Sequence, residues 1–210
     1  MLVRRAAPNR TVYRLALAWT LAFFRLSPTA ALGMPRIRST AGSRNSHVAV
    51  APSRNGKGLF ATRRFRAGEE ILVIAGRVVD PDLLWERGGR FAANCIRFGP
   101  ESYIDPGDSP SRYINHSCEP NAGLRKVNQR LVLFAAKEIR SGAEIRFDYS
   151  TTIGDDDIWT MRCNCGEGSC RRVIRNLGSL PAERVDQYLR DGLVPKYITD
   201  TLGMDVELER

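Results

Sequence analysis

Lysine is scarce in this chain, four residues against 28 arginines, and histidine is scarcer still, with two in 210 residues. That skew is compatible with a GC-rich genome and leaves few imidazoles for chemistry. No apolar run is long enough to cross a bilayer: Leu15 to Phe24 spans ten residues, about half of what a membrane helix requires. Acidic residues are missing from positions 1–45, which hold eight arginines and carry +8; positions 46–210 hold 24 basic and 23 acidic groups, a balance of +1. Eight of the nine net charges therefore belong to the tail, and the rest of the composition implies no basic groove for direct nucleic-acid binding. Cysteine is sparse and, at five, odd in number. That argues against a disulfide scaffold and for a reducing, intracellular compartment, cytoplasmic or nuclear.

What is present fits one globular domain, with 43% hydrophobic residues over a length that buries a real core. The first 45 residues stand outside it. Leu15 to Phe24, preceded by Arg4, Arg5, Arg10 and Arg14, has the outline of a secretory signal. Arg25 ends the run, and Ser27, Thr29, Ala30 and Ala31 give only a loose cleavage pattern. The other readings are a basic tail, disordered or helical, or a true start at Met34, and secretion is the least expected of them.

The densest polar cluster is S-R-Y-I-N-H-S-C-E-P-N, Ser111 to Asn121. Pro110 and Pro120 bound it, and each biases the residue before it away from helical dihedrals, so a tight loop is expected. Asn115, His116 and Cys118 offer an amide, an imidazole and a thiol, groups suited to a polar ligand or a metal and ill suited to a core. Alone, they read equally well as a turn cap, a hydrogen-bonded ring and a small buried thiol. A second cluster, C-N-C-G-E-G-S-C at 163–170, spaces three cysteines as C-x-C-x4-C, with Gly166 and Gly168 freeing the backbone to wrap. Such thiolates suit a tetrahedral zinc site, which wants a fourth ligand. Cys95, in the apolar setting F-A-A-N-C-I-R-F, reads as packing, and Cys118 is the better choice.

N-H-S-C-E-P-N at 115–121, I-R-F-D-Y at 145–149 and C-N-C-G-E-G-S-C-R at 163–171, in that order and spacing, resemble the SET-domain protein-lysine methyltransferases with a post-SET zinc segment. The likeness covers residues 47–175. It implies a mainly β, β-clip fold of small sheets in which a late strand passes under an earlier loop as a pseudoknot, setting Asn115 and His116 beside Tyr149. It divides the chain into a tail (1–45), a SET domain (46–150), a post-SET zinc segment (151–175) and a C-terminal extension (176–210). S-adenosylmethionine is the cofactor implied, held by main-chain groups of Lys57, Gly58 and Leu59 and by Asn115 and His116. Tyr149 is the implied catalytic hydroxyl, and Phe147 and Ile74 line the substrate channel. Zn2+ is implied on Cys118, Cys163, Cys165 and Cys170, with Arg162, Arg171 or Arg172 offsetting the thiolate charge. The partner is a protein substrate bearing a lysine, a histone or another protein. Without a pre-SET cysteine cluster or a reader domain, the chain resembles small stand-alone microbial members. It departs from the family at Ile74 and Arg77, where Tyr-x-Gly-Glu is frequent, and at Arg172, where glycine is usual.

Two other classes compete. A cysteine nucleophile built from His116 and Cys118 is disfavoured because a metal-bound thiolate is not free to attack. A non-catalytic, zinc-containing SET-like interaction module would keep the fold without binding the methyl donor.

For local structure, H-V-A-V-A-P-S reads as a strand, R-N-G-K-G-L-F as a turn and E-E-I-L-V-I-A-G-R-V-V as one β-branched run. A helical turn is expected over Pro81 to Arg87, and a hairpin around Asn128 and Gln129. K-E-I-R-S-G-A-E-I-R repeats the logic of F-R-A-G-E-E-I-L, read as convergent turn chemistry. Trp159 and Met161 are expected to dock the cysteine segment on the core. Val185, Tyr188 and Leu189, with Gly192 as a stop, predict a short C-terminal helix.

Overall fold

The computed structural model describes residues 36–37, 47–157 and 159–203. The apolar run Leu15 to Phe24 lies outside the described residues. In chain order the elements are β1 (Arg36–Ile37), β2 (Val48–Ser53), β3 (Gly56–Ala61), β4 (Glu70–Val73), β5 (Gly76–Val79), α1 (Pro81–Arg87), α2 (Gly89–Asn94), β6 (Ile96–Gly99) and β7 (Ser102–Asp105). They continue with β8 (Asn115–His116), β9 (Ala122–Val127), β10 (Arg130–Ala135), β11 (Glu144–Phe147), β12 (Met161–Arg162), β13 (Val173–Ile174), α3 (Ala182–Arg190) and α4 (Lys196–Thr201). The strands form small sheets ordered β1-β5-β7-β6, β4-β10-β9, β2-β3-β11-β8 and β12-β13, the mainly β architecture expected.

The chain uses one three-strand unit twice. Val48, Gly56 and Glu70 begin β2, β3 and β4, and Ala122, Arg130 and Glu144, each 74 positions later, begin β9, β10 and β11. The turns before β4 and β11 face each other through reciprocal bonds, Phe65 N to Ile139 O at 2.9 Å and Ile139 N to Phe65 O at 3.0 Å. Gly68 and Gly142 take matching left-handed φ values of 81° and 82°, a conformation glycine adopts without a Cβ penalty. The equivalence thus extends beyond the shared turn sequence to three strands and their contacts. Between the two units Leu59, Phe65, Leu131, Leu133, Ile139 and Ile145 are almost wholly buried, and each such side chain contributes about 1.5–3 kcal/mol.

Two local expectations change. Gly56–Ala61 is a strand, and the turn is confined to Arg54 and Asn55. The β-branched run is cut into β4 and β5, which enter different sheets. Gly76 permits the switch, because a Cβ there would lie 2.2 Å from the Asp105 carbonyl of the adjoining β7. The hairpin at Asn128 and Gln129 has both residues at positive φ, 46° and 59°, as a two-residue turn of matching twist requires.

A second apolar cluster lies on the outer face of β10. Phe134 packs there with Leu177, Tyr188, Leu193 and Ile198. The predicted helix is α3, burying Val185 and Tyr188 and ending before Gly192, whose φ is 63°. Helix α4 follows, and Tyr197 within it donates to the Arg97 carbonyl at 2.7 Å.

Candidate active site

The central loop opens as a 3-10 turn, Pro110–Tyr113, and then runs as β8 parallel to β11, pairing Asn115 with Arg146 and His116 with Phe147. Asn121 fixes this crossing: its Oδ1 accepts from Arg146 N at 2.9 Å and its Nδ2 donates to Glu144 O at 2.8 Å. Ser117 N adds a bond to Phe147 O at 3.1 Å. The crossing sets Tyr149 against the loop. Its amide donates to His116 Nδ1 at 3.2 Å and its hydroxyl donates to the Ile114 carbonyl at 2.7 Å.

A backbone N–H only donates, so His116 Nδ1 is an acceptor and the neutral ring carries its proton on Nε2. Nε2 lies 3.3 Å from Cys118 Sγ. Burial pushes the imidazole down to about 4, Arg171 and Arg146 push the same way, and the Asp148 carboxylate opposes them. The ring is neutral at physiological pH. Burial, then the charge of Glu144, raises the Tyr149 phenol above its ordinary value, so the hydroxyl stays protonated. The Phe147 ring lies 4.9 Å and the Trp159 ring 6.4 Å from that of Tyr149.

The cysteines converge beside this point. The ligand atoms of His116, Cys118, Cys163 and Cys165 all lie within 4.8 Å of one another. Cys118 and Cys163 sulfurs are 3.7 Å apart, which matches the roughly 3.8 Å edge of a tetrahedron with ~2.3 Å zinc–sulfur bonds. Cys170, the fourth ligand the resemblance implies, lies next to Cys163, with its Sγ 3.9 Å from the Cys163 carbonyl, but it is not one of these four groups, in which His116 takes its place. The donor set therefore fits zinc. Of the arginines expected to offset the thiolates, Arg171 reaches the cluster through its backbone amide, which donates to Cys118 Sγ at 3.4 Å, while its guanidinium is held by Asp148. Arg172 occupies a left-handed φ of 68°. Cys95 stands apart on the insert, where burial and the nearby Asp105 push its thiol up to about 12.

A cavity of about 190 Å³ opens over these groups. Asn115, His116 and Tyr149 form its floor, Asn55 comes from the β2–β3 turn, and Met161 and Cys165 come from the cysteine segment. Asn55 and Asn164 close it by bonding across the gap, Asn164 Nδ2 to Asn55 Oδ1 at 3.2 Å. Met161 remains exposed on the rim instead of docking into the core. Lys57, Gly58 and Leu59 stand just behind the cavity wall: Asn115 Nδ2 donates to the Lys57 carbonyl at 3.0 Å, and Leu59 is wholly buried between Val50 and Ile145. Ile74 is also wholly buried, in the cluster that includes Phe147.

Residues 56–150 match the SET domain family. That stretch is a SET domain. Asn115, His116, Phe147 and Tyr149 all fall within the SET domain, and the three later cysteines follow it. The chain is 32% identical over 132 residues to Histone-lysine N-methyltransferase 2B of Homo sapiens, covering 57% of this chain and 5% of that protein. It is 32% identical over 145 residues to Histone-lysine N-methyltransferase ASHH3 of Arabidopsis thaliana, covering 63% of this chain and 39% of that one. Among solved structures it is similar to a crystal structure of KRYPTONITE in complex with mCHG DNA and SAH, at a TM-score of 0.49 and 26% identity, over 61% of this chain and 29% of that one. The chain spans well under half the length of these relatives.

Sequence reasoning missed several residues around the SET-domain site. Asn55 and Asn164 are 109 positions apart and carry no motif. Asp148, given no role within I-R-F-D-Y, is wholly buried and ion-paired. Glu144 read as the acid of a turn, and its contacts with Ser53 and Asn115 span 91 and 29 positions.

Proposed function

We propose that the protein transfers a methyl group from S-adenosylmethionine to the ε-amine of a lysine in a protein substrate, as the names of its relatives, histone-lysine N-methyltransferases, suggest. The observation that carries this reading is the position of Tyr149, whose protonated hydroxyl is anchored on the Ile114 carbonyl at the floor of a cavity shared with Asn115 and His116. S-adenosylmethionine supplies the methyl group when bound, and Asn115 and His116 are the side chains available to hold it, with the main chain of Lys57 to Leu59 behind them.

A lysine amine attacks only when neutral. At a reference pKa of ~10.4 that form is about one molecule in 2,500 at pH 7, a deficit of roughly 4–5 kcal/mol. The Phe147, Tyr149 and Trp159 rings disfavour the charged amine by desolvation, so no dedicated base is needed. Tyr149 orients the amine, and holding it in line supplies much of the remaining rate. Zinc on the cysteine cluster has a structural task, tying residues 151–175 to the loop that carries Asn115. Residues 46–150, 151–175 and 176–210 then act as catalytic domain, zinc segment and packing extension. Among the described residues no helix is long and apolar enough to cross a membrane.

Titration of S-adenosylmethionine into the protein tests the reading first, since an interaction module without the chemistry has no reason to bind it. Mass spectrometry of lysates and recombinant histones treated with the protein and a labelled methyl donor then identifies the substrate. Absence of both heat and label would leave the non-catalytic module as the correct reading.

A further inference from the structure

Asn115 is held from behind by a carboxylate. Glu144, the first residue of β11, presents Oε1 to Ser53 Oγ at 2.7 Å and to Asn115 Nδ2 at 2.7 Å. The same nitrogen of Asn115 donates to the Lys57 carbonyl at 3.0 Å. Carboxylate and carbonyl oxygens only accept, so the carboxamide nitrogen is committed to this side and Oδ1 is left for the cavity that Asn115 lines. Gly58 makes the room: a Cβ there would lie 2.3 Å from Glu144 Oε1 and 2.9 Å from Ser53 Cβ. The glycine is therefore required by the carboxylate beneath it, whether or not a ligand approaches its backbone. Glu70 occupies the equivalent place in the first three-strand unit, and among the described residues its carboxylate makes no such bond.

We propose that Glu144 is a positioning residue: acting with Ser53 in the space left by Gly58, it fixes the Asn115 carboxamide with its oxygen toward the cavity, as an acceptor for a donor group of the bound ligand. This rests on the methyl-donor reading of the cavity for its consequence, but the fixed amide exists without ligand. Both can be measured separately on the full chain.

Amide spectra (15N–1H), with the Asn115 side-chain pair assigned by its disappearance in Asn115→Ser, report the positioning without ligand. Titration calorimetry with S-adenosylmethionine reports its consequence. Glu144→Ala is expected to move the Asn115 pair toward the shifts of a free carboxamide and to weaken binding about tenfold, equivalent to about 1.4 kcal/mol. Glu144→Gln, whose carbonyl oxygen still accepts, is expected to retain the Asn115 signal and most of the affinity, and Glu70→Ala to change neither. Asn115→Asp sets two carboxylates against each other and is expected to lose affinity, which adding Glu144→Gln should restore. The proposal is overturned by an unchanged Asn115 pair in folded Glu144→Ala, by Glu144→Gln behaving as Glu144→Ala does, or, if Glu144→Ala does not fold, by failure of that restoration. If the unaltered chain does not bind S-adenosylmethionine, the methyl-donor reading fails, and the Asn115 signals still decide the role of Glu144.

Discussion

Arg171 and Asp148 meet as a two-bond fork, Nη1 to Oδ2 at 2.7 Å and Nη2 to Oδ1 at 2.8 Å, with the carboxylate wholly buried. Tyr188 of α3 donates to the same carboxylate at 2.9 Å. One acid beside Tyr149 thus joins the cysteine segment, the late strand and the C-terminal helix. Removing the guanidinium strands a desolvated charge, a loss of about 3–5 kcal/mol in comparable buried pairs. Arg171→Ala should therefore lower the urea midpoint sharply, and Arg171→Lys should restore little, since an ammonium cannot reproduce the fork. A loss below about 1 kcal/mol by denaturant titration would show that Asp148 finds another partner.

One zinc per chain is expected by elemental analysis of the purified protein. Cys118→Ser, Cys163→Ser and Cys165→Ser should each lose it, and Cys95→Ser should keep it. His116 and Cys170 both stand at the cluster, so the fourth ligand is decided by comparison. With Cys170 as ligand, Cys170→Ser releases the metal and His116→Ala retains it; the reverse pattern would assign His116.

Arg172 offers a gain in stability. Its φ of 68° falls where a side chain costs roughly 1–2 kcal/mol, at the position where the resemblance leads one to expect glycine. Arg172→Gly should stabilise the protein by about 1 kcal/mol once glycine's larger unfolded-state entropy is counted. A raised melting temperature with zinc retained is the expected result. A fall would mean that the guanidinium's charge near the thiolates outweighs the relief of the backbone.

The parts of the site legible in the sequence were those whose chemistry is concentrated in a few neighbouring positions: Asn115, His116 and Cys118 within one proline-bounded loop, and three cysteines within eight residues. The hairpin at Asn128 and Gln129 and the helix ending at Gly192 were readable for the same local reason. What escaped is built from pairs distant in sequence. Asn55 meets Asn164, Ser53 meets Glu144, and Arg97 meets Asp156, none within a motif. The split of the β-branched run at Gly76 depends on the passage of β7 beside it, which no local preference encodes. The repeated turn was visible, but its extension to three strands rests on matching hydrogen bonds more than on matching residues.

Arg97 is buried, and Asp156 reaches it through two bonds of 2.7 Å each. These bonds hold the Asp156 carboxyl below its ordinary range, against a smaller opposing effect of burial. A carboxyl with a depressed folded pKa contributes stability above its unfolded pKa, and that contribution is lost as pH falls through the folded value. Asp156→Asn should thus lower the urea midpoint at pH 7, and the gap from the unaltered chain should narrow below pH ~4. Because Asp156 is half exposed, solvent screens the pair. A gap independent of pH would assign the effect to the amide's geometry instead of to charge.

The number of methyl groups transferred should depend on Phe147. Each added methyl enlarges the amine, and turning it for a further transfer needs room and freedom from a fixing hydrogen bond. The Phe147 ring lies 4.9 Å from that of Tyr149 and carries no oxygen, while the Tyr149 hydroxyl is already committed as donor to Ile114 O. Only its lone pairs remain to orient the amine, so little resists rotation and the product should reach di- or trimethyl-lysine. Ile74, where another tyrosine is frequent in the family, adds no hydroxyl; it is wholly buried and is not among the residues that line the cavity. Phe147→Tyr should lower the product toward monomethyl-lysine with the first transfer largely intact. Tyr149→Phe should suppress every transfer while S-adenosylmethionine still binds, because the anchor on Ile114 is lost but Asn115 and His116 are untouched. Intact-mass spectra of a methylated substrate distinguish these outcomes, and exclusive monomethylation by the unaltered protein would remove Phe147 from this role.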